Sequence, residues 1–192
     1  MRRAEVQRTT LETLINVEFS LDGNGEFSGT SGLGFFDHML TLFCKFGGFN
    51  LNLSCQGDLD VDDHHTVEDI GLVLGEAFSK ALGDKKGIAR FASGFYPMDE
   101  ALMLVAVDIS GRPYLAFEAE FPPVLAGKFN YQMIEEFFRA FVQKAGITLH
   151  VREIAGKNLH HKAEAIFKGV GRTLKVAVTL EGDTLPSTKG VI

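Results

Sequence analysis

The chain has 192 residues, 45% hydrophobic and 23% charged, the mix of an ordinary globular protein long enough to bury a core. A formal net charge of −6 argues against a broad nucleic-acid-binding surface, and no apolar run approaches the roughly 20 residues of a membrane span. Two cysteines, Cys44 and Cys55, make no disulfide framework, and Met1-Arg2-Arg3-Ala4-Glu5 lacks the apolar stretch of a signal peptide, so a cytoplasmic protein is expected.

The 21 glycines point to many turns and away from a simple helix bundle. Residues 11–21 alternate moderately and run into Asp22-Gly23-Asn24-Gly25, which predicts a strand and a turn. Helical spacing covers 35–46, with Phe36, Leu40 and Phe43 on one face. Residues 49–55 alternate strictly, the pattern of a half-buried strand. A helix over 67–82 is opened by Asp63-His64-His65-Thr66-Val67-Glu68. Residues 101–109 are more uniformly apolar; after Ser110-Gly111-Arg112-Pro113, residues 114–121 alternate again, and the two strands read as a hairpin. A helix over 131–144 and a strand over 147–154 follow. The last helix, over 163–178, is opened by Leu159-His160-His161-Lys162-Ala163-Glu164.

This order repeats. His64 and His160 are 96 positions apart (160 − 64), and at that offset His65, Glu68, Ile70 and Gly75 meet His161, Glu164, Ile166 and Gly171. Upstream the offset is 98, where Phe43, Gly48 and Leu51 meet Phe141, Gly146 and Leu149, so a short indel separates the blocks. The expectation is an α+β fold of duplicated β-β-α-β-α half-domains, about 1–90 and 91–192, with sheets covered by helices in a single domain over 1–192.

Chance gives roughly 0.2 His-His pairs in a chain of this length and histidine content. Here there are two, in register, each followed by Glu at the same spacing. On a helix that Glu falls between the two histidines, whose side chains point about 100° apart and so suit two different ions. His and carboxylate without Cys fit Mn, Fe, Co or Zn in a catalytic setting. Six ligands leave two ions short, and the preceding helices offer His38 and, through the repeat, Glu136. His38 alone would read as a buried histidine bonded to a backbone carbonyl; the repeat favours the metal. Asp58-x-Asp60-x-Asp62 resembles a calcium loop, but Asp63 stands where Gly is required, so these acids are expected to orient histidines or to be solvated. Arg90, Arg112, Lys168 and the tail Pro186-Ser187-Thr188-Lys189-Gly190 suit an anionic group such as phosphate. Walker, dinucleotide and nucleophile-elbow patterns are absent.

Over nearly its full length the chain resembles the imidazoleglycerol-phosphate dehydratases of histidine biosynthesis. The stretches that carry the likeness are Gly34-Phe35-Phe36-Asp37-His38-Met39-Leu40, Asp62-Asp63-His64-His65-Thr66-Val67-Glu68-Asp69 and Asp108-Ile109-Ser110-Gly111-Arg112-Pro113-Tyr114. Glu136-Phe137-Phe138-Arg139, Gly156-Lys157-Asn158-Leu159-His160-His161 and Pro186-Ser187-Thr188-Lys189-Gly190 complete it. The resemblance implies a fold of the ribosomal-protein/kinase-type β-α-β superfamily. It also implies trimers assembling into a 24-subunit cage, with two Mn2+ per active site at subunit interfaces and no membrane or nucleic-acid partner. His38, His64, His65, Glu68, His160, His161 and Glu164 match metal-site positions, and Glu136 stands where many members carry a His ligand. Arg90, Arg112, Lys168, Ser187 and Lys189 match phosphate-holding positions, and Glu12 a substrate-contacting carboxylate. Leu42 stands where many members carry Gln.

The implied chemistry removes a C–H proton beside an imidazole and expels a hydroxide. Lewis-acidic ions binding the ring as its anion would help the hydroxyl leave, and a carboxylate, Glu164 or Glu12, would handle the proton. The residues alone also fit a dinuclear hydrolase of a phosphorylated small molecule, or ions that only tie subunits together.

Overall fold

The structure, a computed structural model, describes residues 2–192. The first half runs β1 (Arg3–Thr9), β2 (Thr13–Ser20), β3 (Phe27–Thr30), α1 (Gly34–Gly47), β4 (Asn50–Gly57) and α2 (His64–Leu82). The second runs β5 (Phe91–Met98), β6 (Ala101–Asp108), β7 (Tyr114–Glu118), the short pair β8 (Leu125–Ala126) and β9 (Phe129–Asn130), α3 (Met133–Ala145), β10 (Thr148–Ala155) and α4 (Leu159–Ala177). Two four-stranded mixed sheets have the same order, β1-β2-β4-β3 and β5-β6-β10-β7. Each half opens with three strands rather than the two expected.

The four helices fill the space between the sheets. α2 lies on β1 and β2, α4 on β5 and β6, and the helices pair across the halves, α1 with α4 and α2 with α3. The strand patterns follow from this: Ile15, Val17 and Phe19 on β2, and Met103, Val105 and Val107 on β6, point inward and are buried, with more exposed residues between them. A phenylalanine cluster, Phe36, Phe43, Phe137, Phe138, Phe141 and Phe167, joins the helices, and burial of each ring contributes about 1.5–3 kcal/mol. Both α1 and α3 end on a glycine in the left-handed region, Gly48 at φ 65° and Gly146 at φ 66°. That conformation penalises a Cβ, which explains the repeated glycine.

The expected hairpin of 101–109 and 114–121 does not form. β10 lies between β6 and β7, antiparallel to the first and parallel to the second. The turn signal is real, but the long central strand β10 satisfies both ladders better than a direct pairing. Cys44 and Cys55 are free thiols. Among the described residues no helix is long and apolar enough to cross a membrane.

Candidate functional site

Each histidine pair lies in the first turn of a long helix. Asp62 Oδ1 accepts from the His64 N–H at 2.8 Å, and Asn158 Oδ1 accepts from the His160 N–H at 2.9 Å, so donors left free at helix starts are satisfied and the turns are fixed. Within each pair the rings diverge, at 81° for His64 and His65 and 87° for His160 and His161.

His38 reaches across from α1 to the second pair. Its Nε2 stands 2.9 Å from Glu164 Oε1, which is 3.0 Å from His160 Nε2. The three ligand atoms lie within 4.8 Å of one another, the one such group of three or more His, Cys, Asp or Glu side chains among the described residues. Asp37 anchors the start of α1, accepting from Thr30 Oγ1, Ser31 N and Ser31 Oγ at 2.6–2.7 Å. Lys168 Nζ donates to Glu164 Oε2 at 2.5 Å. Burial pushes the Glu164 carboxyl up, but hydrogen bonds from Lys168, His38 and His160 outweigh it and hold it down at about 2. The two helices can come this close because Gly171 has no side chain: a Cβ there would lie 2.4 Å from the Phe43 carbonyl oxygen.

The repeat predicts a second group from His64 and Glu68 on α2 and Glu136 on α3. α2 and α3 cross over the equivalent glycine, Gly75, whose Cβ would lie 2.4 Å from Phe141 O. This group is looser. His64 Nε2 is 3.7 Å from Glu68 Oε2, and Glu136 lines the same cavity of about 270 Å³ as His64. Glu136 Oε2 also faces Arg139 Nε at 3.5 Å.

His65 and His161 face away from these groups. His65 Nδ1 is 2.9 Å from Asp58 Oδ2, and its Nε2 is 3.7 Å from Glu12 Oε1. Asp58 therefore orients a histidine as expected, whereas Asp62 bonds backbone. His161 Nδ1 is 2.7 Å from Glu100 Oε2. The carboxylate partners at Nδ1 raise both histidines above their ordinary value, and Glu100 is pulled down to about 2 by His161 and the Asn158 N–H. Glu100 escaped the sequence reading. The signal for it is a third repeat offset, 88, that appears only once strand registers are known.

The basic residues divide. Lys168 belongs to the His38 group. Arg90 sits in the left-handed region at φ 72°, held by its N–H to Ala177 O and by Ile109 N on its carbonyl. Its guanidinium meets Asp108 Oδ1 at 2.8 Å and Pro186 O at 2.7 Å, tying down the tail. Ser187 Oγ turns back to Val191 O at 2.8 Å, and Ile192 comes to rest beside Gly111, next to the exposed Arg112. Lys189 is exposed. Leu42 is half-buried and packs on the core.

A sequence profile described as imidazoleglycerol-phosphate dehydratase matches residues 31–174. The chain belongs to that family. A relative of the same name from Carboxydothermus hydrogenoformans is 92% identical over 192 residues, covering 100% of both chains. One from Caldicellulosiruptor saccharolyticus is 56% identical over 191 residues, covering 100% of this chain and 98% of its own. The crystal structure of imidazoleglycerol-phosphate dehydratase from Staphylococcus aureus superposes with a TM-score of 0.84 at 43% identity, covering 93% of this chain and 99% of that one. The Pyrococcus furiosus enzyme, solved in complex with (S)-C348, gives 0.82 at 38% identity, covering 97% and 100%. The profile of the imidazoleglycerol-phosphate dehydratase family spans both histidine pairs and Lys168, while Glu12 and the tail fall within the full-length likeness to these relatives.

Proposed function

We propose that this protein is a metal-dependent imidazoleglycerol-phosphate dehydratase, eliminating water from imidazoleglycerol phosphate to give imidazole acetol phosphate in histidine biosynthesis. The observation that carries the reading is the convergence of His38, His160 and Glu164 within 4.8 Å in a chain of this family. Two nitrogens and an ionised carboxylate, with no thiolate, fit a catalytic ion such as manganese. His64 and Glu68, with Glu136 on the facing helix, would hold a second. Bound manganese supplies Lewis acidity that favours the substrate imidazole as its anion.

The residues divide the remaining work. Glu164 has its oxygens engaged by Lys168, His38 and His160, which suits a ligand rather than a proton carrier. Glu12 is half-exposed, and the His65 ring, with Nε2 at 3.7 Å, is the basic group that faces it. Its carboxylate accepts no hydrogen bond among the described residues and would take the carbon-bound proton. That proton and the departing hydroxide make the water lost, and the enol left behind becomes the ketone. Arg112 and Lys189 offer exposed charges to the phosphate, with Arg90 and Ser187 shaping the tail beside them, so that remote binding positions the reacting carbon.

The divergence of His65 and His161 from their partners supports sites shared between copies, within the cytoplasmic trimer-based 24-subunit assembly that the resemblance implies. The outer face of the second sheet, with Phe91, Phe95, Tyr114 and Ile154 each at least half-exposed, supports burial against other copies. The test is turnover by metal-stripped protein reloaded with manganese. Manganese-dependent ketone formation is expected. Phosphate release with no ketone would replace the reading with a hydrolase, and tight metal binding without turnover would replace it with a structural metal.

A further inference from the structure

Glu12 and Glu100 occupy equivalent places in the duplicated fold. Phe19 pairs with Leu51 and Val107 with Leu149, the two leucines being the repeat partners, so the opening strands recur at 107 − 19 = 88 positions. Glu12 plus 88 is Glu100. The two carboxylates stand on opposite sides of their histidines. Glu12 Oε1 faces His65 Nε2 at 3.7 Å, whereas Glu100 Oε2 meets His161 Nδ1 at 2.7 Å.

The loops behind the helices explain the difference. In the first half Asp58, just after β4, supplies the carboxylate 2.9 Å from His65 Nδ1. The stretch after β10 that corresponds to it, beyond a β-bulge between Glu153 and Ala155, is Ala155-Gly156-Lys157, which offers no carboxylate. Glu100 fills that role from the other direction. Its Oε1 accepts from Asn158 N at 2.7 Å and Lys157 N at 3.3 Å, which locks the carboxylate to the start of α4.

Resting on the metal-dependent reading above, we propose that Glu100 is a positioning residue for a metal ligand: it holds His161 with Nδ1–H donating to Oε2, which turns Nε2, with the exposed Asp99 carboxylate no nearer than 3.7 Å, toward an ion. A carboxylate behind a ligating imidazole fixes its tautomer and ring orientation and raises its basicity. Asp58 does the same for His65, which releases Glu12 to serve the substrate. A tether that merely ties α4 to the β5–β6 turn would need only an acceptor for the Asn158 N–H.

Manganese titration of the metal-stripped full chain, with free ion followed by electron paramagnetic resonance, separates the two roles. Glu100→Gln retains an acceptor for Asn158 N–H and controls for any folding defect of Glu100→Ala. Both variants are expected to weaken one class of site by about 10–100-fold and leave the other unchanged. Glu100→Asp recovers part of the loss. Glu12→Gln lowers turnover with both affinities intact. Wild-type affinity at both sites in Glu100→Gln overturns the positioning role while the metal reading stands. A wild-type chain that binds no manganese overturns both.

Discussion

α1 and α4 close a group of three ligand atoms, whereas α2 and α3, crossing over an equivalent glycine, leave theirs open. The backbones repeat; two side chains do not. Where α1 presents His38, α3 presents Glu136. Where α4 carries Lys168, one turn past Glu164, α2 carries Leu72, one turn past Glu68. Lysine pins the Glu164 side chain at 10% exposure, and without a cation Glu68 stays at 47%. Duplication thus sets where these side chains can meet, while single substitutions decide whether, on the metal-dependent reading, a group would be assembled in advance of an ion. Preassembly reduces what binding must order.

The largest test of this asymmetry is Glu164→Ala against Glu136→Ala. Removing Glu164 should abolish the tighter manganese site and cost turnover more than the 10–100-fold typical of residues behind a ligand, with Glu136→Ala weaker in both respects. Equal losses would break the comparison. Lys168→Leu makes α4 resemble α2, and the tighter affinity should fall about 10-fold toward that of the other site. Titration of the variant beside the wild type reads this directly.

Smaller effects should be alike in the two halves. Gly171→Ala and Gly75→Ala each place a methyl 2.4 Å from a facing carbonyl oxygen. Overpacking costs about 1–3 kcal/mol, and better helix propensity returns about 0.5–1. Both should lower Tm by a few degrees, about 2–8 °C, in thermal unfolding of the metal-free protein. A fall in one variant alone would show that the crossings differ.

The smallest effect is on pH dependence. Glu164 and Glu100 are held down at about 2, so their stabilisation of the metal-free protein is present above their ordinary 4.5 and lost as pH falls from there toward 2. His65 and His161 are raised, so theirs is present below 6.5 and lost as pH rises through their folded values. Thermal unfolding across this range should peak between the two limits. Glu100→Gln should flatten both flanks.

Much of this architecture is legible without coordinates. The helices, β4, β6 and the duplication leave periodic or repeated residues at fixed offsets. β1 and β5 do not, because edge strands packed on one side bury little: Val6 alone is buried in β1, and no residue of β5. A β6–β7 hairpin, which the turn between them suggests, does not form because β10, some 40 residues beyond β6, comes between two strands that adjoin in sequence. The histidine pairs and their glutamates stand out, since they recur at two helix starts at one spacing. Glu100 does not, because the ten-residue difference between the 88 and 98 offsets (98 − 88) hides the turn that carries it. The β8–β9 hairpin lies in that added stretch.

The most direct measurement of the central claim is a manganese titration of the metal-stripped wild-type chain, with turnover of imidazoleglycerol phosphate followed in parallel. Two ions per chain are predicted, the tighter lost in His38→Ala, with ketone formation rising as the weaker site fills. A single ion per chain, or full turnover with the weaker site empty, would contradict the account.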